Sequence, residues 1–503
     1  MTRTWLKPSP LFTDGTVLCR DREIRVFGEA PEGLEVKVSL TDRDDRMLAE
    51  GTGEARQGRF LICLPPQTAR TGCRLVISGG GETMAAEDVA IGDVYLAGGQ
   101  SNMEMELRNS REGTDSVADD PLLRFFNVPR KAYVCEAQRQ ALQETRWAPV
   151  NRETAGYNSA AASYFGARMR EKHPGIPVGI IGCYWGGTSV TCWMDEETLR
   201  SLDEGKRYLD EYSRLSGGKT MEAYLAEEEI FSRDMDRWNG DVGRYRADHP
   251  DAAWEEIEGA CGKCPWNPPA GPGSPYRPAG LAESMLKEIA PVALTAALYY
   301  QGEEDTGRTD HYDLLMTAMI RLWRKLFRDA ELPFLFVQLP MWLDFGASDT
   351  FRWAATRLAQ AAVRDAVRNT GMICLLDEGE YGNIHPLNKR PVGERLASLA
   401  ESMLYGGGTV SPRVSGRWIR DDVMTVTATQ NLVTSDGAAP RLMEIAGEDG
   451  VFVPAEAEIS ENTIRIRAKE VRHPAAARYA WTDWSDRVNV FGENGLPLEP
   501  FRI

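Results

Sequence analysis

Ser101 stands where an apolar run breaks. In DVYLAGGQSNMEMEL (93–107) the run 94–97 ends on Gly98 and Gly99. Continuous runs of that kind fit a strand buried on both faces. A serine hydroxyl becomes a nucleophile beside a base, and near neutral pH histidine suits that role best. The chain has five histidines. His173, in EKHPGIP, reads as a helix cap or surface residue. His249 lies in a charged stretch, His311 opens a helix, and His473 belongs to a C-terminal β-patterned region. Only His385, in GNIHPLNK, follows a sheet-type strand directly. Ser101 and His385 are the candidate nucleophile and general base, with the Gln100 and Asn102 amides beside the serine in support.

Acyl transfer also needs donors for the negative charge on the former carbonyl oxygen. Backbone N–H groups in a glycine turn reach it without side-chain obstruction. The candidates are the N–H groups of Ser101 and of Gly187, in CYWGGTS, with the Gln301 side-chain amide as a third. For His385 Nε2 to accept the serine proton, Nδ1 must carry a hydrogen and be held by an acceptor. Three acceptors fit: the Asn383 backbone carbonyl, the Asn383 side-chain oxygen, or a carboxylate from Asp377, Glu378 or Glu380. The carbonyl, two residues back, is the expected one, giving a Ser-His dyad.

These residues need a scaffold that brings them to one edge. Short apolar runs (DVYLAGG, VGIIGCYWGG, AALYYQGE, PFLFVQLP, MICLLDEG) alternate with amphipathic stretches. Leu315, Met319, Leu322 and Leu326 share one helical face, as do Ala161, Tyr164, Phe165 and Met169. Alternation of this kind predicts a parallel sheet with helices on both faces, its ligands beyond the carboxyl ends of the strands. Residues 1–88 alternate with period two, as in REIRVFG (22–28) and LEVKVSL (34–40), and predict a β-sandwich. Residues 406–503 predict a second β domain, with VMTVTATQ (423–430) and TIRIRAK (463–469) as strands. The α/β region, 89–405, is interrupted at about 200–275. That insertion is charged and helical at first, then irregular, with six prolines in 265–278. Trp266 and Tyr276 there are candidates for a substrate rim or for ordinary packing.

The net charge of −17 argues against nucleic acid or an anionic membrane as a partner. MTRTWLKPSP has no apolar signal core, and the nine cysteines lack framework spacing. A cytoplasmic protein with reduced thiols is the expectation. Cys261 and Cys264 form a lone CGKC with only His249 nearby, too few ligands for zinc. Neither metal nor cofactor is expected.

Four blocks resemble the sialate O-acetylesterase family of SGNH-type hydrolases: GDVYLAGGQSNMEMEL, PVGIIGCYWGGTSVTCWM, RPAGLAESML with ALYYQGEEDT, and NIHPLNKRPVGERLA. The flanking SPLFTDGTVLCRDREIRVFGEA and GLPLEPFRI are also similar. The resemblance implies an SGNH-hydrolase-like, three-layer parallel-sheet domain flanked by β-sandwich-like domains. It implies a serine esterase removing O-acetyl groups from a sugar, and the cytoplasmic expectation makes that a small mono- or oligosaccharide. Ser101 would be the nucleophile, His385 the base and acid, and Ser101, Gly187 and Gln301 the oxyanion donors. Glu303 would support the site by hydrogen bonding. Two departures stand out: Asn383 where the family commonly has aspartate, and Glu304-Asp305 after YQGE. Two rival readings are a glycoside hydrolase using Glu303, Glu304, Asp377 or Glu380, and an inactive carbohydrate-binding protein. Both leave Ser101 and His385 idle.

Overall fold

A central run of seven strands carries the site: β1 (Glu82–Gly99), β2 (Asp120–Asn127), β3 (Ala148–Val150), β4 (Val178–Tyr184), β5 (Ala296–Tyr300), β6 (Phe334–Val337) and β7 (Thr370–Ile373). The computed structural model describes residues 5–249, 252–266 and 268–503. In space the order is β3-β2-β4-β1-β5-β6-β7. Pairing is parallel from β2 to β7, and β3 is antiparallel to β2. From β1 the chain first builds outward through β2 and β4, then crosses to β5 on the other side. The carboxyl end of β1 is therefore the switch point, where open α/β sheets hold their ligands.

Alternate residues of each strand enter two separate cores. Val94, Leu96, Ala297, Tyr299, Phe334 and Phe336 join one; Tyr95, Ala97, Leu298, Tyr300, Leu335 and Val337 join the other. That is why these strands read as unbroken apolar runs: both faces are covered. The helices that cover them are amphipathic, as the sequence pattern predicts. The chain supplies α1 (Ser101–Glu104), α2 (Ala160–Lys172), α3 (Asp203–Ser216), α4 (Met221–Asp248), α5 (Trp254–Cys261), α6 (Tyr312–Leu326), α7 (Arg352–Ala366) and α8 (Arg390–Ala400). Leu315, Met319 and Leu322 of α6 pack in the first core. Ala161 and Phe165 of α2 and Leu396 of α8 pack in the second. Ser159 caps α2 by accepting the Ala162 N–H, and His173 ends it at the residue before Pro174.

The N-terminal strands share the first core with the central sheet, from Leu6 and Val26 through Leu40 to Trp323. A boundary at residue 88 falls inside β1, which begins in the N-terminal β region and ends at the site. Near the C-terminus Val423–Ala428 and Thr463–Arg467 are paired strands. Their core takes in Met341, Cys374 and Leu376 from the central region. The insertion is helical at first, with α3, α4 and α5 occupying most of it before the proline-rich stretch. Asn267 in that stretch lies outside the described residues.

Candidate active site

β1 ends at Gly99 with φ +132°, and a Cβ there would lie 2.0 Å from the Tyr300 carbonyl oxygen of β5. Only glycine fits so close an approach, and it lets the chain turn so that Ser101 opens α1 at the sheet edge. His385, in the loop after β7, meets it there. Ser101 Oγ and His385 Nε2 are 2.8 Å apart although the residues are 284 positions apart in sequence.

Asn102 ties the two loops together. Its Nδ2 donates to Glu303 Oε1 at 2.6 Å and to the Ile384 carbonyl at 3.0 Å, one residue before the histidine. Its Oδ1 accepts from Lys389 Nζ at 2.5 Å. Gln100 acts on the neighbouring loop. Its buried Oε1 accepts the N–H groups of Gly302 and Glu304 at 3.4 and 3.3 Å, holding the turn after β5. Burial pushes the Glu303 carboxyl up; its bond to Asn102 and the Lys389 charge oppose that.

The oxyanion candidates divide. The backbone N–H groups of Ser101 and Gly187 donate to no described group. Unbonded N–H groups at a helix start are ready anion ligands. The Gly186–Gly187 turn packs on the serine: a Cβ at Gly186 would lie 3.2 Å from Ser101 Cβ. Glu104 fixes this turn by accepting the Gly186 N–H while pairing with Arg130. The Gln301 amide, by contrast, has protein partners. Its Nε2 donates to the Thr188 carbonyl at 3.1 Å and to Asp305 Oδ2 at 2.6 Å. Its Oε1 accepts from Tyr312 at 2.8 Å. Both amide protons are committed, so none faces an acyl oxygen.

The expected orientation of His385 is corrected. Its Nδ1 makes no hydrogen bond to the Asn383 carbonyl or to any other described group. Asn383 Oδ1 instead accepts the His385 backbone N–H at 3.0 Å, and Asn383 Nδ2 donates to Glu380 at 2.7 Å. Among the described residues no carboxylate hydrogen-bonds the ring either. Asp377 pairs with Arg395, and Glu378 with Arg395 and Asn388. Glu380 accepts from Asn383 and the Leu387 N–H and pairs with Arg111. Burial, then the charges of Lys389 and of Arg246 on α4, lower the His385 pKa to about 4. The imidazole is therefore neutral near pH 7, the form a general base needs.

The insertion supplies one wall. Gly187 has φ +68°, and a Cβ on it would lie 2.4 Å from the Trp266 ring and 3.2 Å from the Tyr276 ring. These rings meet edge to face at 5.5 Å. Trp266 keeps 46 % of its surface exposed. A cavity of about 120 Å³ adjoins Gly187, lined among others by Tyr208, Tyr212, Tyr276, Glu304 and Arg308. Glu304 opens to solvent there, yet desolvation and the Asp305 and Glu303 charges push its carboxyl up to about 7. Cys264 Sγ contacts Met235 Sδ at 3.9 Å. Among the described residues no group of three or more His, Cys, Asp or Glu is placed to hold a metal ion.

No family model matches the chain. Curated relatives do. The chain is 24 % identical to the sialate O-acetylesterase of Rattus norvegicus over 521 residues, covering 95 % of this chain and 90 % of that protein. It is 22 % identical to the sialate O-acetylesterase of Homo sapiens over 518 residues, covering 95 % and 88 %. A solved carbohydrate acetylesterase from Xanthomonas citri matches 99 % of both chains, with TM-score 0.76 and 28 % identity. Over nearly its whole length the chain is similar to sialate O-acetylesterases and to a carbohydrate acetylesterase, and it is a carboxylic ester hydrolase.

In this esterase the structure brings Ser101, His385, Gly187, Gln100, Asn102 and Glu303 to one place, with Asn383 behind the histidine and Gln301 beneath the glycine turn. Sequence reasoning passed over Glu104, Lys389 and Arg246. Glu104 stands three residues after Ser101, one helical turn on, a spacing that could have drawn notice, whereas Lys389 follows His385 through a non-helical loop. Arg246, far away in a charged helix, gave no signal.

Proposed function

We propose that this esterase hydrolyses O-acetyl groups on a small mono- or oligosaccharide through an acetyl-serine intermediate. The observation that carries the reading is the 2.8 Å contact between Ser101 Oγ and His385 Nε2. Ser101 Oγ attacks the acetyl carbonyl carbon as its proton passes to His385 Nε2. The oxygen that becomes negative is met by the N–H groups of Ser101 and Gly187. The tetrahedral species collapses, the C–O bond to the sugar breaks, and the imidazolium returns its proton to the sugar oxygen. Water repeats the sequence on acetyl-Ser101 and releases acetate. Among the described residues no carboxylate bonds the ring, which favours a dyad.

The tyrosine-lined cavity beside Gly187 suits a sugar ring, which presents C–H faces to aromatic planes and hydroxyls to polar groups, and the half-exposed Trp266 packs against the same glycine. The four sequence blocks and the two-sided sheet support an SGNH-type layered domain over 89–405, with β domains over 1–88 and 406–503. A cytoplasmic location accords with nine free cysteines. No helix among the described residues is long and apolar enough to cross a membrane. Acetate release from p-nitrophenyl acetate and a panel of acetylated sugars, with and without Ser101→Ala, tests the reading. Turnover of the sugars by the alanine variant at the parental rate would overturn it.

A further inference from the structure

Lys389 is 1 % exposed and stands at the start of α8. Both facts weigh against a cation. Burial desolvates the ammonium, and a helix N-terminus carries partial positive charge. A methionine would fill the space without either penalty, so the reason for the charge lies in what it touches. Nζ donates to Asn102 Oδ1 at 2.5 Å and lies 5.8 Å from the Tyr300 ring centroid. Burial lowers the Lys389 pKa to about 7 against the opposing charges of Glu303 and Glu380, so the ammonium is the form present below neutral pH.

An ammonium has only donors, so the amide must turn its oxygen toward it. That leaves Asn102 Nδ2 facing Glu303 Oε1 and the Ile384 carbonyl. The opposite flip would set the amide oxygen against two acceptors and its nitrogen against a cation. Ile384 is bonded to His385, and Asn102 to Ser101. The hydrogen bonds Ser101–His385 and Asn102–Ile384 thus close a small ring through two peptide links. We infer that Lys389 is a positioning residue: its ammonium fixes the Asn102 amide, and Asn102, through the Ile384 carbonyl, holds His385 on Ser101. The inference rests on Ser101 and His385 being the reacting pair, which Ser101→Ala decides separately.

The test is Lys389→Met, similar in length but lacking donor and charge. The expected result is a folded protein whose kcat falls on the order of 10- to 100-fold with KM little changed. The acid limb of kcat/KM should move upward, because a cation acting on His385 is gone. Lys389→Arg should recover part of the loss. In an Asn102→Ala background the Lys389→Met change should cost far less than in the parent, since the partner it acts through is absent. Parental kcat in folded Lys389→Met overturns the inference, as does its full cost persisting beside Asn102→Ala. Should Lys389→Met not fold, Asn102→Asp decides: it still accepts from Lys389 but cannot donate to Ile384. Parental kcat in that variant overturns the inference, and a lowered kcat at constant KM supports it. If Ser101→Ala is inactive while these variants match the parent, only the positioning role falls.

Discussion

The side-chain oxygen of Asn383 receives the backbone N–H of His385 at 3.0 Å, and the amide nitrogen of the same residue reaches Glu380 at 2.7 Å. The residue where the family commonly has aspartate thus shapes the loop and does not charge the ring. Asn383→Ala should lower kcat/KM about tenfold or less, ~1.4 kcal/mol. Removing a triad acid costs nearer ~10⁴. Steady-state kinetics of Asn383→Ala beside Asp377→Ala and Glu380→Ala check this; a ~10³-fold loss in any of them would restore a triad acid or side-chain orienter.

Ser101→Ala should abolish ester hydrolysis, with kcat down on the order of 10³ to 10⁶. Thermal unfolding should hardly move, because the change removes one partly exposed hydroxyl at a sheet edge. Single-turnover acetate release measures the first, a melting curve the second.

Activity should persist well into acid. His385 must be neutral to accept a proton, and its pKa is lowered to about 4 by burial, then by Lys389 and Arg246. The base is fully available above the ordinary value near 6.5 and is lost as pH falls through about 4. Arg246→Gln takes away one cation, which favours the protonated ring and moves the acid limb upward. A pH profile of kcat/KM on both proteins reads the shift; a parental midpoint near 6.5 would contradict the geometry.

Trp266→Ala should raise KM for acetylated sugars while changing hydrolysis of p-nitrophenyl acetate much less. The ring packs against Gly187, half exposed, where it can stack on a sugar but not take part in acyl transfer. Comparing KM and kcat on the two substrates separates rim from catalytic machinery.

Gln301→Leu should cost stability, on the order of 1–3 kcal/mol, by leaving Thr188, Asp305 and Tyr312 without their buried partner. Denaturant unfolding measures it. A loss of kcat with unchanged stability would return Gln301 to the oxyanion hole.

Ser101 and His385 were legible in the sequence because their signals are local. An apolar run that stops on two glycines announces a buried strand and its open end, and a histidine just past another such run must lie at the same edge of a parallel sheet. The strands in 423–430 and 463–469 were legible for the same reason, since alternation is a property of neighbouring residues. What the sequence could not decide was which way side chains point once the edge is assembled. Gln301 looked like an oxyanion donor until Thr188 and Asp305, brought against it by β4 and the turn after β5, took both its protons. Asn383 looked able to orient a ring and instead holds a backbone N–H. Lys389 meets Asn102 across 287 positions, and Arg246 bears on His385 from a helix in the insertion. An amide or a charge acquires its role from whichever donor or acceptor the folded chain delivers within about 3 Å, and crossovers between distant strands, not spacing along the chain, set that delivery.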